Sequence, residues 1–296
     1  MKEQDRPLVS VVIPSYNHEQ YVKEAIESVY NQTYPNIELV VIDDGSKDNS
    51  PQLLKELQEQ YGFTLICREN RGVTATLNEA IYGHAKGKYI RVLASDDYLP
   101  ENSVLDLVNY MEQYPEKQMV FGWGDIVDEN NKIYDRWGND KDESKLTFEN
   151  LFVHDFILAP TAMFTRNVFL ELGGYDINMP HEDADFWLRI FYKYPIGYFN
   201  DRSVAFHRVH NTNASGNYNK IKETRLLIFD KWQAILPKKT YNKLTNRCLF
   251  DHYRKNADKD KKDCIKLLTE YRFNYIDGFI IKSFIIGTGK LLFRRE

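Results

Sequence analysis

Cysteine is scarce in this chain: three residues, Cys67, Cys248 and Cys264, among 296. None sits in a Cys-x-x-Cys pair, which excludes a structural zinc knuckle and points to a reducing compartment. Charge of one sign is lacking as well. The formal net charge is only −4, so no nucleic-acid partner is expected. No uninterrupted run of about 18 apolar residues occurs, which excludes a membrane-spanning helix. The opening Met1-Lys-Glu-Gln-Asp-Arg-Pro7 has no apolar segment of the export-signal kind, and the expectation is a cytoplasmic chain. A dinucleotide fingerprint is missing too. Gly122-Trp-Gly124 and Gly287-Thr-Gly289 lack the third glycine and the preceding strand that the motif needs.

What is present is enough apolar material for a real core, at 43% of the residues. The length suits one large domain, or one domain with a smaller helical appendage. Tyr and Phe are plentiful, at 20 and 17; such rings stack on sugars and bases, or simply pack.

The first hundred residues alternate strand and helix signals. Leu8–Pro14, Ile37–Ile42, Phe63–Cys67 and Tyr89–Ala94 read as buried strands. Glu19–Asn31, Asn49–Tyr61 and Thr74–Ala85 read as helices, with Pro51 tolerated in a first turn. This alternation predicts an α/β fold with a mainly parallel central sheet and flanking helices. Ligands in such folds sit at the carboxyl ends of the strands. Two acidic pairs fall there: Asp43-Asp44 after the second strand, and Asp96-Asp97, preceded by Ser95, after the fourth. Adjacent carboxylates are costly to hold together unless a cation neutralises them, and Mg²⁺ or Mn²⁺ suits such an oxygen-rich site. The plain alternative is a solvated turn.

Further along, Glu101–Tyr114 and Asp183–Tyr194 read as helices. Met119–Val127, Ala159–Phe164 and Gly197–Phe206 read as strands, and residues 129–147 as a loop or hairpin. After Asn217 the texture turns to Lys-rich helices, which places a boundary near residue 216 and a helical extension over 217–296. The last segment, 277–296, is apolar with Lys282, Lys290, Arg294 and Arg295 interspersed. It suits an interfacial helix on anionic lipid, hence a peripheral membrane contact, or a helix packing on the domain.

Several ordered strings together resemble one family. They are Val9-Ser-Val-Val-Ile-Pro-Ser-Tyr-Asn17, Ser28-Val-Tyr-Asn-Gln-Thr-Tyr-Pro35, Glu38-Leu-Val-Val-Ile-Asp-Asp-Gly-Ser46, Glu69-Asn-Arg-Gly72 and Ser95-Asp-Asp97. The match is to the family 2 inverting glycosyltransferases and covers about residues 7–210. The resemblance implies the GT-A nucleotide-sugar-binding fold, with residues 7–100 as the nucleotide-sugar half of a 1–216 domain and 101–216 as its acceptor half. It implies a nucleotide-diphosphate donor, a UDP-sugar by analogy, and a divalent metal, Mn²⁺ or Mg²⁺. Carried onto this chain, Pro14, Tyr16 and Asp43 line the nucleoside pocket with Asn17 beside them. Arg71 lies near the donor phosphates or the uridine, Asp96 touches ribose or sugar, and Asp97 binds the metal. Asn17 has a second reading, as a cap on the helix that follows.

The second half resembles the acceptor side of the family. His181-Glu182-Asp183 opens a helix, where the macrodipole keeps a carboxylate ionised. Inverting transfer needs a base for the acceptor hydroxyl; Asp183 is the first choice and Glu182 the second, with acidic helix capping as the alternative. Trp187 is a platform for an acceptor sugar or a core residue. His207-Arg208-Val209-His210 resembles the family's basic motif, with Arg208 toward the donor and His210 on the metal or diphosphate. His18, His84, His154 and His252 show no partner pattern.

The expected activity is a metal-dependent transfer of a hexose or N-acetylhexosamine from a UDP-sugar to a saccharide acceptor. A lipid-linked acceptor at the inner face of the cytoplasmic membrane, in O-antigen or capsule assembly, is the pathway the resemblance suggests. Two other classes stand beside it. A sugar-nucleotide nucleotidyltransferase would need a Gly-rich basic loop after the first strand, where this chain has Pro14-Ser-Tyr-Asn-His-Glu19. A non-catalytic nucleotide-sugar-binding protein would carry a decayed site.

Overall fold

A computed structural model describes residues 6–138, 142–211, 213 and 218–256. The segment 277–296, expected to meet lipid, lies outside them. Among the described residues no helix is long and apolar enough to cross a membrane. The chain divides into two compact units, one drawn from Met1–Glu143 and Ile157–Tyr218, the other from Ser144–Phe156 and Asn219–Glu296.

The larger unit is α/β. It begins with β1 (Val9–Ser15), α1 (Val22–Tyr30), β2 (Ile37–Asp43), α2 (Ser50–Tyr61), β3 (Thr64–Cys67), α3 (Val73–Glu79) with a wider turn over Ala80–His84, β4 (Tyr89–Val92) and α4 (Ser103–Gln113). β1 is buried at nearly every position, because a parallel strand in mid-sheet is covered on both faces; Val9, Val11, Val12 and Ile13 meet that demand. β1 pairs in parallel with β2, from Val9 opposite Ile37 to Ser15 opposite Asp43. On its other side it pairs in parallel with β4.

The second part adds β5 (Met119–Gly122), β6 (Gly124–Val127), β7 (Ile133–Trp137), β8 (Met163–Thr165), α6 (Arg166–Glu171), α7 (Glu182–Lys193), β9 (Ile196–Phe199) and β10 (Phe206–Arg208), and, in the other unit, α5 (Phe148–Val153). Seven strands form one sheet in the order β3-β2-β1-β4-β8-β5-β9, and β10-β6-β7 form a second. β8 alone runs antiparallel to its neighbours in the large sheet.

Two expected strands divide. Met119–Val127 becomes β5 and β6, which belong to different sheets. The crossing at Trp123 is flanked by glycines for a steric reason. A Cβ on Gly122 would lie 2.9 Å from Val204 Cγ2, and one on Gly124 2.8 Å from Leu158 Cδ2. Gly197–Phe206 likewise becomes β9 and β10. The expected strand at Ala159 opens instead with a tight turn through Pro160, and only Met163–Thr165 is extended.

The smaller unit holds α5 with α8 (Tyr218–Gln233) and α9 (Lys238–Asn256). Thr147 caps α5 by accepting from Asn150 N. Phe148 packs against Trp232 at 4.8 Å and Phe152 stacks on Phe229 at 5.9 Å. These rings explain why 144–156, which the sequence places in the first domain, groups with the later helices.

Candidate active site

The strand ends build the first part of the site. After β1 the chain turns sharply at Asn17, whose φ is +54°. Asn17 N donates to Ser46 Oγ at 2.9 Å, and its Oδ1 accepts from Lys47 N at 2.7 Å. Ser46 in turn donates to Asp43 from its N and its Oγ, at 3.0 and 2.6 Å. Asn17, Ser46 and Asp43 are therefore one interlocked unit at the ends of β1 and β2. Pro14 lies in the same strand register, opposite Ile42. The Tyr16 ring is 45% exposed, open to stack on a flat partner.

Asp44 was read only as half of an acidic pair, and its work is different. Its buried carboxylate accepts from Arg71 N and Gly72 N, both at 2.8 Å, and pairs with the Arg68 guanidinium. It thus fixes the backbone of the Asn70-Arg71-Gly72 loop, while the Arg71 side chain, 64% exposed, lies with its Nη1 3.7 Å from Glu79 Oε2. Gly45 sits between the two acidic residues' loops at φ +79°, and a Cβ there would fall 2.7 Å from Asn70 N. No other residue fits this turn without displacing that loop.

The second part is the Ser95-Asp96-Asp97 turn after β4. Tyr98 and Phe206 exchange backbone hydrogen bonds at 3.2 and 2.9 Å. That bridge sets β10 and the residues after it beside the acidic turn. Asp97 Oδ1 accepts from Arg208 N at 2.9 Å and lies 3.0 Å from His207 Nδ1. Burial raises the Asp97 pKa against the opposing pull of His207 and the Arg208 N–H. Burial also works against a charged His207, but the hydrogen bond and charge of Asp97, helped by Asp96, outweigh it and raise the imidazole pKa.

Asp96 faces other partners. Its Oδ2 lies 3.0 Å from His210 Nε2, 3.3 Å from Asn213 Nδ2 and 3.9 Å from His18 Nε2. One ligating atom from each of His18, Asp96 and His210 lies within 4.8 Å of the others. Adjacent ligands of an octahedral ion with bonds of about 2.1 Å stand about 3 Å apart, so the Asp96–His210 spacing already fits and His18 needs a small shift. His18 Nδ1 is engaged by Ser95 Oγ at 2.7 Å, which leaves Nε2 to face Asp96, the usual arrangement for a ligating imidazole. Asp97, the carboxylate expected on the metal, is taken up by His207 and the backbone, and Asp96 is the carboxylate that faces both imidazoles. His210, expected on the metal or diphosphate, lies beside Asp96, and His18, for which the sequence shows no partner pattern, joins them from directly after Asn17 at a strand end.

Arg208 was expected to meet the donor. Its guanidinium, 2% exposed, is enclosed instead. Nε donates to the Asp96 carbonyl at 3.0 Å, and the two terminal nitrogens bind Asn131 Oδ1 and Glu24 Oε2. The Tyr21 and Tyr98 rings lie 5.0 and 5.3 Å from its carbon.

The third part is the head of α7. Glu182, Asp183 and Asp185 occupy its first turn. Asp183 Oδ1 accepts from Ala184 N at 2.8 Å. Asp185 is buried on Arg189 at 2.8 Å, and Arg189 donates to the Leu172 and Gly174 carbonyls at 2.8 and 2.7 Å. The approach to the helix is thereby clamped. Asn78 of α3 tightens it by exchanging two 2.9 Å hydrogen bonds with the Tyr175 backbone. Burial, reinforced by the charges of Glu182 and Asp183, raises the Tyr175 hydroxyl well above its ordinary pKa. Trp187 is 2% exposed and packs against Phe186 and Phe164 at 5.5 and 5.9 Å. It is a core residue, not an acceptor platform, because the helix turns that position inward.

Comparison with known proteins bears on these geometries. The model of the family described as Glycosyl transferase family 2 matches residues 10–173. An uncharacterized glycosyltransferase of Methanocaldococcus jannaschii is 30% identical over 201 residues, covering 66% of this chain and 69% of the relative. Glycosyltransferase GlyG of Streptococcus pneumoniae is 36% identical over 128 residues, 43% of this chain and 42% of that protein. Among solved structures, S. aureus TarS 1-349 in complex with UDP-GlcNAc superposes with a TM-score of 0.71 at 17% identity, covering 96% of this chain and 89% of that one. This chain spans 54% of a longer TarS chain. The mannosyltransferase PcManGT of Pyrobaculum calidifontis, in complex with GDP-Man and Mn²⁺, gives 0.61 at 19% identity, with 99% and 89% covered. With a family match over more than half its length and the GT-A-type sheet of these neighbours, the chain belongs to glycosyltransferase family 2 and is a glycosyltransferase.

Proposed function

We propose that the enzyme moves a hexose or N-acetylhexosamine from a UDP-sugar to a saccharide hydroxyl with inversion, giving a β-linkage, and does so with a divalent ion. The observation that carries this reading is the His18–Asp96–His210 cluster, which stands on the same sheet edge as the Asn17–Ser46–Asp43 unit. Asp43 accepts the imide N–H of uracil, Tyr16 stacks on the base, and Pro14 and Asn17 complete the nucleoside wall. Arg71, held at its backbone by Asp44, reaches the phosphates.

The ion, when bound, neutralises charge on the departing diphosphate. Two imidazoles with one carboxylate favour Mn²⁺ over Mg²⁺, which prefers oxygen ligands. Asp183 takes the acceptor proton as the acceptor oxygen attacks the anomeric carbon, and the bond to UDP breaks with its electron pair leaving on the diphosphate. Glu182 is the second choice for that role. A lipid-linked saccharide at the inner membrane face, approached through the 277–296 segment, fits cell-surface polysaccharide assembly of the O-antigen or capsule kind.

The test is nucleoside-diphosphate release from a panel of UDP-sugars and GDP-mannose, with Mn²⁺, Mg²⁺ or EDTA. Release from a UDP-sugar that EDTA silences is expected. Release from GDP-mannose alone would overturn the uracil assignment, and full activity in EDTA would overturn the metal.

A further inference from the structure

Tyr21 stands where the cluster and the Arg208 cage meet. Its ring stacks on His210, with centroids 5.0 Å apart and planes 26° from parallel. The His18 ring meets Tyr21 edge-on at 6.0 Å and meets His210 edge-on at 5.8 Å. The Arg208 guanidinium carbon lies 5.0 Å from the same Tyr21 ring. One phenol ring therefore borders both imidazoles of the cluster and the cation that grips the Asp96 carbonyl.

Tyr21 directly precedes α1, where its N–H bonds the His18 carbonyl at 3.0 Å. Three residues on, Glu24 points from the same part of the helix. Its two oxygens divide the work: one pairs with Arg208, and the other accepts from Asn131 Nδ2 at 2.8 Å.

Two physical arguments give these residues a task. An imidazole offers its lone pair only in the plane of the ring, so a ligand histidine must hold its plane as well as its position. A stacked neighbour fixes the plane. A guanidinium beside a cation site repels the incoming ion, and it never loses its charge. Arg208 is buried with its Nε on the Asp96 carbonyl, and Glu24 supplies the opposite charge that offsets it.

We propose that Tyr21 and Glu24 are positioning residues for a divalent-cation site: Tyr21 sets the ring planes of His210 and His18, and Glu24, through Arg208, sets and neutralises the surroundings of Asp96. The proposal rests on the reading of His18, Asp96 and His210 as the cation's ligands.

Mn²⁺ titration of the full chain, read from the electron-spin-resonance signal of the free ion, tests it. Tyr21→Leu and Glu24→Gln should each raise the Mn²⁺ dissociation constant about 10–100-fold, the range for losing an outer partner of a metal ligand. Tyr21→Phe keeps the ring and should bind like wild type. In turnover assays the Mn²⁺ concentration for half-activation should rise in the same two variants, with turnover recovering at saturating Mn²⁺. Glu24 is 41% exposed, so Glu24→Gln serves even where Tyr21→Leu fails to fold. Wild-type Mn²⁺ affinity in Glu24→Gln and Tyr21→Leu, beside lost affinity in Asp96→Asn, would overturn the proposal and leave the ligands standing. Undiminished affinity in both Asp96→Asn and His210→Gln would overturn the ligand reading itself.

Discussion

Asparagine at 96 and asparagine at 97 should have opposite consequences, although the residues are neighbours of the same type. Asp97 Oδ1 holds two partners, His207 Nδ1 and Arg208 N, in a buried setting. A hydrogen bond to a charged group contributes about 1.5–3 kcal/mol and a neutral one about 0.5–1.5. Making Asp97 an amide keeps its shape and weakens both bonds, at a cost of about 2 kcal/mol. For a chain of this size that lowers the melting temperature by about 4–8 °C. The cation site should survive, and Mn²⁺ at about 100 times its dissociation constant should still add about 2.7 kcal/mol, or about 5–11 °C. Asp96→Asn removes the one carboxylate of the cluster. A loss of about 100-fold in affinity, no more than an outer partner can cost, leaves about 0.4 kcal/mol at the same Mn²⁺ concentration, under about 2 °C. Differential scanning fluorimetry with and without Mn²⁺ measures the increment directly. An increment lost in Asp97→Asn and kept in Asp96→Asn would refute the reasoning and restore Asp97 as the ligand.

Asp183→Asn should cut turnover by about 10²–10⁴-fold, the scale of lost general-base catalysis, with UDP and Mn²⁺ binding by calorimetry unchanged; near-normal turnover would pass the role to Glu182. The His207 pKa is raised above its ordinary 6.5 in the folded chain, so its stabilisation is fully present below about 6.5 and fades as pH rises through the folded value. Asp97, also raised, acts with the same sign from its own more acidic range upward. The melting temperature of wild type should therefore fall between pH 6.5 and 9 more steeply than that of His207→Gln, and equal slopes would count against the pair. Truncation after Tyr275 should weaken sedimentation with anionic liposomes and spare transfer to a soluble acceptor analogue; unchanged sedimentation would remove the lipid role from the tail.

The order of strands and helices in the first hundred residues was legible because each segment is bounded by its own turn chemistry. β1 and β2 are rich in β-branched residues, β4 holds Ile90 and Val92, all three end on polar loops, and each begins and ends within a few residues of expectation. The later strands were less legible. Met119–Val127 reads as one strand; Gly122 and Gly124 flank Trp123, but nothing local shows that the chain crosses between sheets there, because the reason lies in Val204 and Leu158, far along the chain. The same limit explains the acidic turn. Sequence put Asp96, Asp97 and His210 in one neighbourhood, but which carboxylate faces His210 depends on the Tyr98–Phe206 bridge, a long-range pairing. Arg208 was expected toward the donor, and its burial against Glu24 and Asn131 could not be read locally, since those residues come from two other segments. Trp187 was open between core and surface until helix packing decided it.

The Tyr98–Phe206 bridge also bears on when this enzyme becomes an enzyme. β1 through β4 are neighbours in sequence and can assemble as soon as they leave the ribosome, but His207 and Asp97 are 110 residues apart in the chain and His210 and Asp96 are 114 apart. Contacts of such span form slowly, because loop closure must precede any reward. A nascent chain thus carries four neighbouring strands, β3-β2-β1-β4, and an acidic turn with nothing opposite it. On the reading of His18, Asp96 and His210 as the cation's ligands, the cation would bind only after β10 docks, whereas the Asn17–Ser46–Asp43 unit proposed for the nucleoside lies wholly at the ends of β1 and β2, so a half-made chain would hold the base before it could hold the ion.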